Sequence, residues 1–306
     1  KAAKEMKERV MGLLKADKLP ITIGTFHSVF ARLLRKEAKY LNISSHFAIY
    51  DVQDQLDLLK VILKSLNITK DQITPNQARN QISYLKNKMI MPEAQSRKAR
   101  TLIEKKLVEI YSTYQKALRD NDALDFDDLL LMPIELFDQN PKILAKYQRQ
   151  WKYILVDEYQ DTNRPQFYLL TMLAKKNEQI CVVGDDDQSI YGWRGADVTN
   201  ILDFEKFFPS CRIFTLEKNY RSTQQILDAA TAVVTHNDKR AKKELVAENG
   251  EGELLGLFET RDELEEADAI ISALEKEIKI NKRTFSDFAV LYRTNAQSRA
   301  LEDSFR

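Results

Sequence analysis

Cysteine, glycine and proline are all scarce in this chain. Two cysteines, 8 glycines and 7 prolines in 306 residues exclude a disulfide-stapled scaffold and a loop-dominated or low-complexity chain. Cys181 and Cys211 lack metal-ligand spacing. Each sits in an apolar strand-like run, so both are expected to be buried thiols of a reducing compartment. His27, His46 and His236 share no spacing either, and no metal site is expected from them. No apolar stretch approaches the roughly 20 residues that span a bilayer. Lys1 to Val10 is a charged helix and not a signal peptide. A cytoplasmic location and no membrane partner are therefore expected. An excess of charge of one sign is missing too, since the net charge is +1, but that figure averages two opposed regions. From Asn76 to Asp120 there are ten Lys/Arg against four Asp/Glu, and from Glu244 to Glu275 eleven acidic residues against one arginine. The acidic stretch reads as a solvated helix face. The basic one is either a second such face or a surface for phosphates.

What is present is a helix-rich globular composition, 43% hydrophobic and 30% charged, long enough for about two domains. A helix is expected over Lys1 to Lys15; it has no N-cap residue before it, which suggests a piece of a longer polypeptide. A strand, Ile21 to Thr25, leads into a helix from Phe26 to Tyr40, so Thr25, His27 and Ser28 fall at a strand-to-helix turn. From about Ser45 to Leu144 no strand candidate appears, and helical periods recur in Leu56–Leu66, Pro75–Lys88, Ala94–Leu118 and Phe126–Phe137. Strands are then expected at Tyr153–Val156, Gln179–Val183, Arg212–Leu216 and Phe288–Tyr292, with helices from Pro165 to Ala174, from after Thr223 to about Thr235 and from Leu264 to Ile278. The implied architecture is α/β. A partial parallel-sheet domain over 1–45 and 145–210 carries an inserted helical domain, 46–144, and part of a second sheet domain follows over 211–306.

Two strand-end loops carry the chemistry. In Leu155-Val156-Asp157-Glu158-Tyr159-Gln160-Asp161 and Val182-Val183-Gly184-Asp185-Asp186-Asp187-Gln188, a β-branched apolar run stops at carboxylates. This is the pattern of a buried parallel strand delivering polar groups to the carboxyl edge of a sheet. Asp157 and Glu158 either merely end a strand or divide labour, one toward Mg2+ and the other toward an attacking water. Gln188, an uncharged donor and acceptor, suits a γ-phosphate contact. Tyr191 and Trp193 offer stacking faces for unpaired bases, or pack a core, and Arg194 beside them suits a phosphate. Tyr220-Arg221 is either a surface ion-pair site or the position of an arginine finger. In Asp125-Phe126-Asp127-Asp128, Asp125 or Asp127 is expected to cap the following helix in preference to binding a metal.

Taken in order, these segments resemble the motifs of superfamily 1 DNA helicases of the UvrD/Rep/PcrA group. Lys1-Ala2-Ala3-Lys4-Glu5-Met6 is similar to the end of motif Ia, Thr25-Phe26-His27-Ser28 to motif Ib, and Asp157 to Asp161 to motif II. Gly184 to Ala196 is similar to motif III, Asn219-Tyr220-Arg221-Ser222-Thr223 to motif IV, and Tyr292 to Arg299 to the segment that follows it. The resemblance covers the whole chain. It implies two RecA-like domains, ATP and Mg2+ as cofactors, and a motor that steps 3' to 5' on single-stranded DNA. It also implies roles by position. Asp157 would hold magnesium, Glu158 would activate water, Gln188 would contact the γ-phosphate, Tyr220 would stack on adenine, and Arg221 would be the finger. Thr25, His27, Tyr191, Trp193, Arg194, Arg293 and Asn295 would line the DNA strand. Implied partners are single-stranded DNA, single/double-strand junctions and proteins of DNA repair, replication or transcription.

The chain departs from the family in having no Gly-x-Gly-Lys-Thr phosphate loop, and motifs V and VI would lie past Arg306. An internal fragment is expected, with severely reduced ATP affinity and no helicase activity of its own. Two alternatives stand beside the helicase assignment: a non-catalytic nucleic-acid-binding fragment and a subunit of a helicase-nuclease.

Overall fold

A computed structural model describes residues 2–15 and 21–306. Lys1, the first residue of the segment likened to motif Ia, lies outside them. The chain divides into two compact units, Lys1–Ile213 with Lys239–Ala241, and Phe214–Asp238 with Lys242–Arg306.

The first unit runs α1 (Ala2–Leu14), α2 (Phe26–Glu37), β1 (Ala48–Tyr50), α3 (Val52–Ser65), α4 (Pro75–Asn87), α5 (Pro92–Ser96), α6 (Leu102–Asp120) and β2 (Ala123–Asp125). It continues with α7 (Asp128–Gln139), α8 (Pro141–Gln150), β3 (Ile154–Val156), α9 (Arg164–Ala174), β4 (Ile180–Val182), α10 (Thr199–Leu202) and α11 (Phe204–Phe207). The starts of its main helices are written locally. Asp51, Thr74, Thr101 and Asn163 each head a helix through a reciprocal capping box with Asp54, Gln77, Glu104 and Gln166, which satisfies amides that the first turn leaves unpaired. Their apolar stripes then meet in two cores. Leu59, Ile62, Ile82, Leu85, Ile110 and Tyr114 join α3, α4 and α6, whereas Phe30, Leu33, Leu130, Phe137, Tyr147 and Leu169 join α2, α7, α8 and α9. Each such residue buried fully contributes about 1.5–3 kcal/mol.

The two strands that position the candidate site are parallel, with Ile154 opposite Ile180, Leu155 opposite Cys181 and Val156 opposite Val182. They are not buried on both faces as expected. Val156 packs with Tyr159 and Leu170, but the alternation of the strand turns Leu155 to the other side, where it is 80% exposed. Cys181 opposite it is exposed and Cys211 half-buried, which corrects the expectation of two buried thiols.

The second unit holds β5 (Lys218–Asn219), α12 (Gln224–Val234), β6 (Val246–Ala247), α13 (Glu263–Asn281) and α14 (Ser298–Phe305), with β5 and β6 parallel. Four strand expectations change. The stretch taken as strand-free contains β1 and β2, a parallel pair with Ala48 opposite Ala123. Three-residue strands are too short to show an alternation of period two. Conversely Ile21–Thr25, Arg212–Leu216 and Phe288–Tyr292 form no strand. An apolar run becomes a strand only when another backbone completes its ladder, and none does so among the described residues.

Candidate functional site

The carboxyl ends of β3 and β4 are stitched together by a glutamine. Gln160, buried in the turn after Glu158, accepts the Asp185 amide on Oε1 at 3.1 Å, and its carbonyl accepts the Ser189 hydroxyl at 3.2 Å. Its Nε2 donates to Glu158 Oε2 at 2.8 Å. The Tyr159 amide adds a bond to the Val183 carbonyl at 3.0 Å. The two strand-end loops therefore form one edge. Gly184 is required there, since a Cβ on it would lie 2.5 Å from Gln160 Oε1 and 2.9 Å from Ile201 Cδ1.

Asp157 and Glu158 are both exposed at this edge. The Glu158 amide donates to Asp157 Oδ1 at 3.0 Å, and Glu158 has φ of +52°, the left-handed region that a non-glycine residue enters at a cost. That turn lifts the side chain off the line of the strand, and Gln160 then fixes its direction. The donor set, all carboxylate and amide oxygen, is one that Mg2+ accepts. Facing it across the edge, Asp185, Asp186 and Asp187 hold carboxylate oxygens within 4.8 Å of one another, but each is engaged. Asp185 takes the Asp187 amide and Gln188 Nε2, the latter at 2.7 Å. Asp186 takes the Ala241 amide, and Asp187 receives Arg240 Nε and Nη2 at 3.0 and 2.8 Å. Gln188 thus sits on the predicted loop with its amide turned to Asp185.

The same loop continues into an exposed aromatic cluster. Tyr191 and Trp193 have ring centroids 6.5 Å apart at 46°, and the Arg194 guanidinium lies over both, 5.0 and 4.5 Å from their centres. Trp193 is 75% exposed, so the core-packing alternative for these rings does not hold. Thr25 caps α2 by accepting the Ser28 amide at 3.3 Å. His27, half-buried on the same helix, lies edge-on to Phe126 at 5.7 Å, and burial holds its imidazole below the ordinary value and neutral.

Four of the candidate residues belong to the second unit. Asn219 Oδ1 accepts the amides of Arg221 and Ser222 at 3.0 and 2.8 Å, a turn that leaves Tyr220 72% exposed and Arg221 exposed as well. Asn249 Nδ2 holds the Tyr220 carbonyl at 3.1 Å. Arg293 and Asn295 are exposed around a capping box in which Gln297 accepts the amides of Arg293 and Thr294.

The acidic run before α7 is neither a metal cluster nor a simple cap. Asp125 Oδ1 accepts the Asp128 amide at 2.9 Å in the expected way, but Asp127 makes no cap bond. Lys86, fully buried, places Nζ 2.7 Å from both Asp125 Oδ2 and Asp128 Oδ1, and the Tyr114 hydroxyl donates to Asp125. Lys86 holds the Asp125 carboxyl below its usual range against burial, whereas burial and the Asp125 charge push Asp128 up to about 7. Gln160, Lys86 and Asn87 had no role assigned from sequence. Lys86 had a signal: it falls on the apolar stripe Ala78, Ile82, Lys86 of α4, where a lone lysine requires a buried partner.

Comparison with known proteins identifies the family. Residues 1–209 match the UvrD/REP helicase N-terminal domain and residues 214–306 the UvrD-like helicase C-terminal domain. Relatives include the ATP-dependent DNA helicase PcrA of Leuconostoc citreum, 43% identical over 99% of this chain and 41% of that protein. PcrA of Bacillus subtilis is 45% identical over 99% of this chain and 41% of its own length. PcrA of Staphylococcus aureus is 45% identical over 100% of this chain and 42% of its own. The chain thus spans about two fifths of these relatives. With both domain models matched in order along the chain, it belongs to the UvrD/REP helicase family.

Proposed function

We propose that these residues form the nucleotide-handling edge and part of the DNA track of an ATP-dependent DNA helicase that moves 3' to 5' on single-stranded DNA and opens single/double-strand junctions in repair and replication. One observation carries this: a parallel strand pair ends in two loops joined through Gln160, one presenting Asp157 and Glu158, the other Gln188 followed by an exposed Tyr191–Trp193–Arg194 cluster. A signal at the nucleotide edge has a few residues to travel before it reaches an aromatic face.

Bound ATP with Mg2+ would supply the phosphoryl bond to be hydrolysed. Asp157 would offer the ion a carboxylate oxygen. Glu158, aimed by Gln160, would orient a water and take its proton. Gln188, now bonded to Asp185, would turn to a γ-phosphate oxygen. Tyr220 would cover the adenine ring, and Arg221 would balance phosphate charge. On the DNA side Tyr191 and Trp193 stack bases, Arg194 and Arg293 meet phosphates, and Thr25, His27 and Asn295 add polar contacts.

The test is DNA-stimulated ATP hydrolysis by the full-length parent protein and its Glu158→Gln form. Loss of a positioned base should cut turnover about 10²- to 10⁴-fold while nucleotide binding persists. Equal rates in the two proteins would sink the assignment. The relatives named PcrA carry ATP dependence in their names, which supports ATP as the nucleotide. The exposed cluster and the basic Asn76–Asp120 segment favour a second possibility for the 306 residues alone, binding of single-stranded DNA without turnover.

A further inference from the structure

The last turn of α4 reaches the aromatic loop through a single amide. Asn87 Nδ2 donates to Asp127 Oδ1 at 3.1 Å and to the Ser83 carbonyl at 2.9 Å, and its Oδ1 accepts Asn163 Nδ2 at 2.8 Å. The same Oδ1 lies 3.0 Å from where a Cβ on Gly195 would stand, and Gly195 is left-handed with φ of +88°. Asn163 caps α9 and makes an isolated bridge to Ala196. Residues 195 and 196, which close the Tyr191–Arg194 turn, are thus seated against Asn87 and its partner. Asn87 itself cannot drift, because its neighbour Lys86 is locked between Asp125 and Asp128. All of these residues belong to the first unit.

We propose that Asn87 is a positioning residue for the base-stacking loop, through which the last turn of α4 sets the attitude of Tyr191 and Trp193. The proposal rests on the assignment of these rings to DNA bases made above. An amide is the group the site asks for, because one side chain must donate to a carboxylate and accept from a second amide. Aspartate would face Asp127 with like charge, and alanine would do neither job.

The experiment titrates fluorescein-labelled oligothymidylate of about 16 nucleotides with the 306-residue chain by anisotropy over a range of salt. It compares Asn87→Ala, Trp193→Ala and the exchange Asn87→Asp with Asp127→Asn, which reforms the bond between 87 and 127 with donor and acceptor swapped and keeps an acceptor for Asn163, at the loss of the donor to the Ser83 carbonyl. Acrylamide quenching of Trp193 in a Trp151→Phe background reads the loop without DNA. The expected result is that Trp193→Ala and Asn87→Ala each weaken binding about five- to tenfold, at an unchanged salt slope because phosphate contacts remain. The exchange should recover part of the affinity lost in Asn87→Ala, and quenching should shift in Asn87→Ala. Parent-like affinity and quenching in Asn87→Ala, with Trp193→Ala weakened, overturns the positioning role and leaves the stacking assignment intact. A Trp193→Ala form that binds like the parent overturns the stacking assignment and the positioning role with it. Should Asn87→Ala melt early, Asn163→Asp keeps the acceptor that caps α9 while removing the donor to Asn87 Oδ1, and carries the same outcomes.

Discussion

Gly184 and Lys86 are two positions where one atom decides the local structure. A methyl on Gly184 would meet Gln160 Oε1 at 2.5 Å, and that oxygen is already committed to the Asp185 amide. Gly184→Ala should therefore destabilise the chain by about 1–3 kcal/mol, the range for overpacking, seen as a lower midpoint in urea. A midpoint equal to the parent's would mean that the two loops yield freely. Lys86 is costlier to change. Replacing it by methionine strands Asp125 and Asp128 in the core without their cation, and a loss of about 3–5 kcal/mol is expected. Asp128 gives the same cluster a pH signature. Its carboxyl, at about 7 in the fold, lies above the roughly 3.9 of an unfolded aspartate, so the fold binds this proton more tightly than the unfolded chain does. The resulting stability is complete below about pH 4 and lost as the pH rises toward 7. Asp128→Asn is neutral throughout, so its Tm relative to the parent should climb between about pH 4 and pH 7 and level off above that. Parallel Tm curves would place the Asp128 carboxylate in its charged form across the whole range.

At the scale of elements, what was legible in the sequence depended on whether the cause was local. Helices α3, α4, α6 and α9 announce themselves through capping residues three apart and an apolar stripe, both readable within a dozen residues. The carboxylates and the aromatic loop were legible because residue types carry their chemistry with them. Strands were legible only in part: β3 and β4 fall inside the expected Tyr153–Val156 and Gln179–Val183, but β1 pairs with β2 across more than seventy residues, and nothing in Ala48-Ile49-Tyr50 names that partner. The role of Gln160 was hidden for the same reason, since its value lies in reaching across from β3 to the loop after β4. Gln160→Ala should uncouple the two loops. It removes the acceptor of the Asp185 amide and the donor that aims Glu158, so in the full-length parent the turnover number should fall while the affinity for nucleotide changes little. A fall in affinity with turnover intact would assign Gln160 to ligand contact instead.

Across the whole molecule, net charge is a poor guide to what the chain binds. A formal +1 over 306 residues predicts almost no attraction to a polyanion, yet binding responds to the cations that stand at the contact and not to the sum. In the proposed DNA track Arg194 would be such a cation, exposed and braced over two rings that themselves suit bases. The 306-residue chain should bind single-stranded DNA with a clear salt dependence and show no measurable ATP hydrolysis, because no Gly-x-Gly-Lys-Thr loop is present in it to cradle phosphates. Each phosphate contact adds about 0.7 to the slope of log affinity against log salt on a single strand. Arg194→Ala should therefore flatten that slope by about 0.7, whereas Trp193→Ala should weaken binding and leave the slope alone. If both substitutions lowered affinity and neither moved the slope, Arg194 would be serving its neighbouring rings, not a phosphate, and the cationic part of the DNA track would have to be sought in the basic helices between Asn76 and Asp120.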